Sequence, residues 1–248
     1  MKKVMKRQIT CISLCMIFPI FVVFPTSPPE APSDVIQAAE EGLPGFLSNL
    51  PPSEMENFGF SEGDNLDEAV LGRPFLNYVI LSTRVRNYKE GDSIYSVLTQ
   101  SSEWYFPIMI GDETKCLLRV EKGDDGWEAV VLGYAGLAKR VALVRKVWPI
   151  SEGYDPFFSI NAPVYNAYFS VLQVDEYNLT QISYGSQNIT EDELIQYYKD
   201  LQPLSETMKY LASETPVAPE NNNEDEDSGS GGGVVGCFIS TAKGGIYR

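Results

Sequence analysis

Two groups of neighbouring carboxylates could be proposed as catalytic, Asp64 with Asp67 and the run Glu191, Asp192 and Glu193. A carboxylate-dependent hydrolase needs two such groups about 5–10 Å apart across a cleft, one as acid and one as base or nucleophile. The second group has a plainer use. Thr190-Glu-Asp-Glu193 is a capping box, and acids at a helix N-terminus are favoured by the macrodipole. Gly123-Asp124-Asp125-Gly126 offers oxygens to calcium, yet a calcium site takes roughly six to eight oxygens, and these are also the preferred residues of a hairpin turn. The chain contains no histidine. That excludes Ser-His-Asp and Cys-His catalysis, His-ligated zinc and the iron facial triad. No cofactor or metal site is therefore expected.

Lys139, Arg140, Arg145 and Lys146 form the one basic concentration outside the N-terminal segment. They could dock an acidic peptide or the chain's own acidic tail, or simply be a solvated helix face with cations towards its C-terminus. The aromatic residues Trp104, Tyr105, Phe106, Tyr154, Phe157, Phe158, Tyr165, Tyr168 and Phe169 could stack on a sugar if exposed, though large rings usually fill a core. Asn178-Leu-Thr180 and Asn188-Ile-Thr190 match the glycosylation sequon, a pattern frequent by chance. Cys116 lies in a strand-like run and is expected to be buried and inert. Its pairing with Cys237 is conceivable in an oxidising compartment.

The ends differ from the middle. Met1-Lys-Lys-Val-Met-Lys-Arg7 is basic, and Ile9–Phe24 is mostly apolar, the pattern of an export signal. Residues 1–27 are expected to be a signal peptide or an uncleaved anchor, followed by a Pro-rich linker over 28–34. One globular domain is expected over 35–213. Residues 214–233 are acidic and then glycine-rich, which predicts a disordered tether. The net charge of -15 opposes phosphate backbones, so nucleic acid is an unsuitable partner. A membrane would be met only through the N-terminal segment or a modified tail.

The last segment, 234–248, carries Gly236-Cys237-Phe238-Ile239 after the run Gly231-Gly-Gly233, with Thr241-Ala242 beyond. It resembles the CFI-box C-terminal segment of exported bacterial proteins, with Ser240 where alanine is usual and without the longer extension. The resemblance covers this tail alone. It implies surface sorting or modification at Cys237, and a secreted or cell-envelope location in a bacterium.

The elements that must position these groups are read from periodicity. Trp104–Ile110, Thr114–Glu121 and Trp127–Leu132 are strand-like and separated by Gly111-Asp112 and Lys122–Gly126, which predicts an antiparallel meander. Leu137, Val141, Val144 and Trp148 form a helical stripe over Tyr134–Trp148. Asn77–Thr83, Phe157–Ile160 and Asn166–Val174 supply further strands, and the capping box opens a helix that Pro203 interrupts. Ala38–Leu50 reads as a helix broken by Gly42, Pro44 and Gly45, and both Leu66–Leu71 and Asp92–Gln100 as short helices. The class is α+β, an antiparallel β-meander with helices packed on one face in a single domain.

Function follows from this by exclusion. The expectation is an exported, non-enzymatic binding domain for a protein or peptide partner in the envelope or outside the cell. A glycan-binding module and a carboxylate-dependent hydrolase are the alternatives.

Overall fold

The computed structural model describes residues 29–154, 156–160, 167–170, 176–182, 190–214 and 239–240. Helix α1 runs unbroken from Ser33 to Ser48. Its Val35, Ala39, Leu43 and Phe46 fall at helical spacing and are buried, so packing overrides the weak propensity of Gly42, Pro44 and Gly45. Gly42 has a physical reason to be there: a Cβ at that position would collide with the Cβ of Ala129. The predicted linker thus yields to helix two residues before the expected domain boundary.

A 3-10 turn over Pro52–Phe58 ends at Gly59, which has φ 81° and lies against the Lys115 carbonyl. Leu66–Glu68 is a second 3-10 turn that leads into strand β1 (Val70–Leu71), where a helix was expected. Strand β2 (Phe75–Ile80) and helix α2 (Ser82–Asn87) follow. The short helix expected over Asp92–Gln100 is a single 3-10 turn, Ile94–Ser96. Strand β3 already starts at Leu98 and runs to Ile110, because Leu98, Thr99 and Gln100 pair with Ile80, Val79 and Tyr78. Then come β4 (Glu113–Gly123), β5 (Gly126–Gly133) and α3 (Ala135–Val147). Strands β6 (Phe157–Ser159), β7 (Ala167–Ser170) and β8 (Asn178–Ile182) precede α4 (Glu191–Lys199). Strand β9 (Gln202–Pro203), α5 (Leu204–Glu214) and β10 (Ile239–Ser240) complete the described elements.

The strands lie in the order β10-β5-β4-β3-β2-β6-β7-β8-β9, with β1 also on β3. The β3–β4–β5 meander is antiparallel as its turns predict, and β2 and β6 pair in parallel, making the sheet mixed. The domain is α+β, but its helices occupy both faces instead of one. Trp104, Phe106, Ile108, Cys116, Leu118 and Val120 pack with α1 in one cluster. Tyr105 and Leu117, pointing the other way, pack with Leu137, Ala138, Val141 and Val144 of α3 in another. Apolar side chains on both sides of the same strands require cover on both sides. A third cluster joins α2, α5 and β8 through Val85, Leu179, Leu204, Met208 and Leu211.

The two glycines of α1 are predicted to differ. Gly42→Leu should force α1 off β5 and lower unfolding stability by roughly 1–3 kcal/mol. Gly45→Ala meets nothing within 4 Å and should raise stability by roughly 0.5–1 kcal/mol. Denaturant titration of both variants checks the pair.

Candidate functional site

The acids singled out in the sequence have structural partners. Asp64 Oδ2 accepts from the Ser61 N–H at 2.7 Å and lies 3.0 Å from the buried Lys115 ammonium, which also meets Glu113 at 2.6 Å. The Ser61 bond and Lys115 hold the Asp64 carboxyl below its ordinary range. Asp67 sits nearby on an exposed 3-10 turn, its N–H donating to Asn65 Oδ1. Glu193 closes the capping box by accepting from Thr190, and Glu191 pairs with Lys146 across to α3. Neither group forms a facing pair across a cleft. Asp124 and Asp125 make the tight β4–β5 turn ahead of Gly126, at φ 131°. Among the described residues no group of three or more acids, cysteines or histidines is placed to hold a metal ion.

The basic helix face is largely used within the fold. Arg145 lies over the rings of Phe75 and Phe158 and donates to the Arg73 carbonyl at 2.8 Å. Lys146 takes Glu191, and Lys139 is exposed. Trp104, Tyr105, Phe106, Phe157 and Phe158 are buried, and Tyr154 packs edge-on against Trp148. These rings cannot form an exposed sugar platform, which corrects that use of them. Cys116 is fully buried in apolar surroundings that push its thiol well up, so it is inert. Thr180 of the first sequon is also buried, within β8. Cys237, Tyr165, Asn188 and the expected signal segment lie outside the described residues. Among those described, no helix is long and apolar enough to cross a membrane.

A different constellation occupies the α3 face of the meander. Glu103 of β3 stands directly opposite Glu121 of β4, which stands opposite Glu128 of β5. Three carboxylates therefore lie abreast on neighbouring strands, an arrangement that repels. Arg119 is the cation among them, 2.7 Å from Glu121 and 3.7 Å from Glu103. The buried Asn77 donates to Glu103 at 2.7 Å while its own oxygen accepts from the Ile160 N–H at 2.8 Å, so Glu103 is fixed from β2. Beyond Arg119 lies the fully buried Tyr105, whose ring meets Tyr134 edge-on at 5.9 Å. Arg119 stands beside the Tyr105 hydroxyl, yet neither that hydroxyl nor Arg119 Nε closes a hydrogen bond of good geometry. Tyr134 has φ 58°, strained for a residue with a large side chain.

The register explains why the sequence hid this row. A two-residue turn at Gly111-Asp112 would set Glu103 opposite Val120 and leave Glu121 on the other face of the pleat. The irregularity between Ile108 and Met109 shifts the pairing by one residue and brings the two glutamates together. A bulge of that kind has no signature in this sequence.

Two cavities lie elsewhere among the described residues, one of them of about 380 Å³ between Val85, Arg86, Tyr88, Glu90, Met208 and Lys209. A second, of about 320 Å³ and lined by Glu30, Ile36, Arg73, Phe75, Tyr78 and Phe157 among others, contains a single tyrosine and a single carboxylate. No family model matches this chain, and no curated protein or solved structure does.

Burial raises the Glu121 carboxyl; Arg119 pulls it down, and Glu103 and Glu128 push it up again. The folded state thus holds that proton more tightly than the unfolded chain. Its contribution to stability is present below the ordinary glutamate range and is lost as pH rises through the raised value. Glu121→Gln should flatten the fall in stability between pH 4.5 and neutrality and be at least as stable as the parent at pH 7. Thermal unfolding across that range tests this, and a variant less stable at pH 7 with an unchanged slope would contradict it.

Proposed function

We propose that the chain is an exported binding domain, not an enzyme, which recognises a cationic segment of a protein or peptide through the Glu103–Glu121–Glu128 row. The observation that carries this reading is the row itself. Three like charges directly opposed across β3, β4 and β5, with one guanidinium between them, lower the stability of the sheet. Groups that cost stability are the ones to examine for function. Glu103 and Glu121 have side-chain exposures of 21% and 33%, and Glu128 is exposed, so a lysine or arginine side chain can reach the row from solvent. The overall charge of -15 would speed encounter with such a partner.

Burial of Trp104, Tyr105, Phe106, Phe157 and Phe158 weighs against the glycan alternative. A hydrolase would want two carboxyls on either side of a bound bond. Glu103 and Glu121 instead stand directly opposite each other on neighbouring strands and share Arg119. Export rests on the basic and apolar composition of residues 1–27 and the tail resemblance that ends at Cys237 and its neighbours.

Calorimetric titration with lysine- and arginine-rich peptides, against acidic peptides of equal length, tests the reading. Saturable binding of the basic set is expected. Glu121→Gln and Glu128→Gln should each weaken it about 2- to 5-fold at low salt, with the difference fading as salt is added. Affinity indifferent to both variants, or to salt, would reject the site.

A further inference from the structure

Helices α2 and α5 pack over the third core cluster and leave a cavity of about 380 Å³ between them. Its floor is apolar: Val85 of α2 and Met208 of α5 are both buried, and Ala212 lies at its edge. Its rim is charged. Arg86 comes from α2, Lys209 from α5 and Glu90 from the turn after α2, and all three are exposed. Among the described residues neither Arg86 nor Lys209 has an ion-pair partner, whereas Lys115, Arg119 and Lys146 are each matched to a carboxylate. Two unmatched cations on neighbouring helices therefore flank one apolar floor, in a chain whose net charge of -15 supplies carboxylates in excess.

The wall beyond α2 is fixed by a tight turn. The Lys89 N–H donates to Asp92 Oδ2 at 2.9 Å, the Asp92 N–H returns to the Lys89 carbonyl at 2.9 Å, and Gly91 at φ 94° completes the turn. Tyr88 lines the cavity beside it, and its hydroxyl accepts from the Gly91 N–H, which leaves its own proton to donate. Burial, with Asp92 and Glu90 nearby, keeps that proton in place.

We propose that this cavity binds a small amphiphilic monocarboxylate, its head between Arg86 and Lys209 and its hydrocarbon tail on Val85 and Met208. The two cations outnumber Glu90 by one, so a single negative charge balances the rim. A phosphate or a dicarboxylate would bring more charge than the rim can match, and acetate would leave the floor uncovered and gain nothing from burial. An acidic peptide would satisfy the cations, but would lay backbone polar groups on the apolar floor at a desolvation cost. At roughly 30 Å³ per water-sized group, the cavity holds about a dozen non-hydrogen atoms, the size of a fatty acid of about eight to ten carbons. Methionine suits such a floor, because its unbranched thioether adapts to tails of different shape.

The test uses the full chain carrying labelled methionine methyl groups and follows the Met208 signal by NMR, assigned with Met208→Leu, as octanoate is added. Saturable shifts at a single site are expected, with a Kd on the order of 1 mM. Arg86→Gln and Lys209→Gln, both at exposed positions, should each weaken binding about 2- to 5-fold at low salt. Octan-1-ol, which has the tail without the charge, should bind the parent and both variants alike. Ala212→Trp fills the cavity from its edge and should weaken octanoate at least about tenfold. An unmoved Met208 signal at about 10 mM octanoate would overturn the proposal. So would equal octanoate affinity in the parent and the double charge variant, or acetate shifting Met208 as far as octanoate does. Displacement of octanoate by a lower concentration of a polyglutamate peptide would also overturn it, and would give the groove to an acidic peptide. None of these results bears on the cationic-peptide reading, whose readout is the glutamate row.

Discussion

The constraint on which the fold depends is that β3 and β4 are buried on both sides. Along β3, Trp104, Phe106 and Ile108 enter the cluster under α1, and the intervening Tyr105 enters the cluster under α3. Strand β4 divides in the same way between Cys116, Leu118 and Val120 on one side and Leu117 on the other. A strand so placed cannot slip by one residue, because a slip would exchange its two faces and every contact on both. The helices are held where they are by this fixed alternation. Lys115 and Asp64 tie the loop after α1 to the same strand.

The acidic row lies where that alternation runs out of apolar residues. Beyond Leu117 the α3-facing positions of β4 become Arg119 and Glu121, while the α1-facing Val120 remains buried. One strand is therefore a core element on one face and a polar surface on the other. Because the core side is rigid, the carboxylates are held in a register that their own repulsion would not choose. Asn77 strengthens this by linking Glu103 to the backbone of Ile160. The result is a pre-organised patch of charge on a stiff support.

Much of the fold was legible, and the reasons differ by element. The meander announced itself through its glycine and aspartate turns, and α3 through Leu137, Val141 and Val144 at helical spacing. The Thr190 capping box predicted where α4 starts, while its end at Lys199, before Pro203, and the separate α5 from Leu204 were not read. Helix α1 was harder, because Gly42, Pro44 and Gly45 read as breakers until Ala129 is seen against Gly42. Leu98–Gln100 joined a strand only because β2 was available to pair. The placement of helices on both faces depends on Phe75, Tyr105 and Leu117 counting as core, and alternation alone does not say that. The site was invisible for a sharper reason. Glu103, Arg119 and Glu121 are ordinary strand-face charges until a one-residue shift near Ile108 puts them side by side.

The seat of α1 on β5 also bears on the order in which the molecule can assemble. Helix α1 meets β5 only after the whole of β2, β3 and β4 has been synthesised, since Gly42 must wait for Ala129. Until then its stripe of Val35, Ala39, Leu43 and Phe46 has only the part of its cover that Phe58, Phe60 and the apolar residues of β3 and β4 supply. Distant pairings of this sort slow the search for the native state and leave sticky surface exposed in the meantime. Helix α1 thus completes its contacts only once β5 is in place, well after its own synthesis.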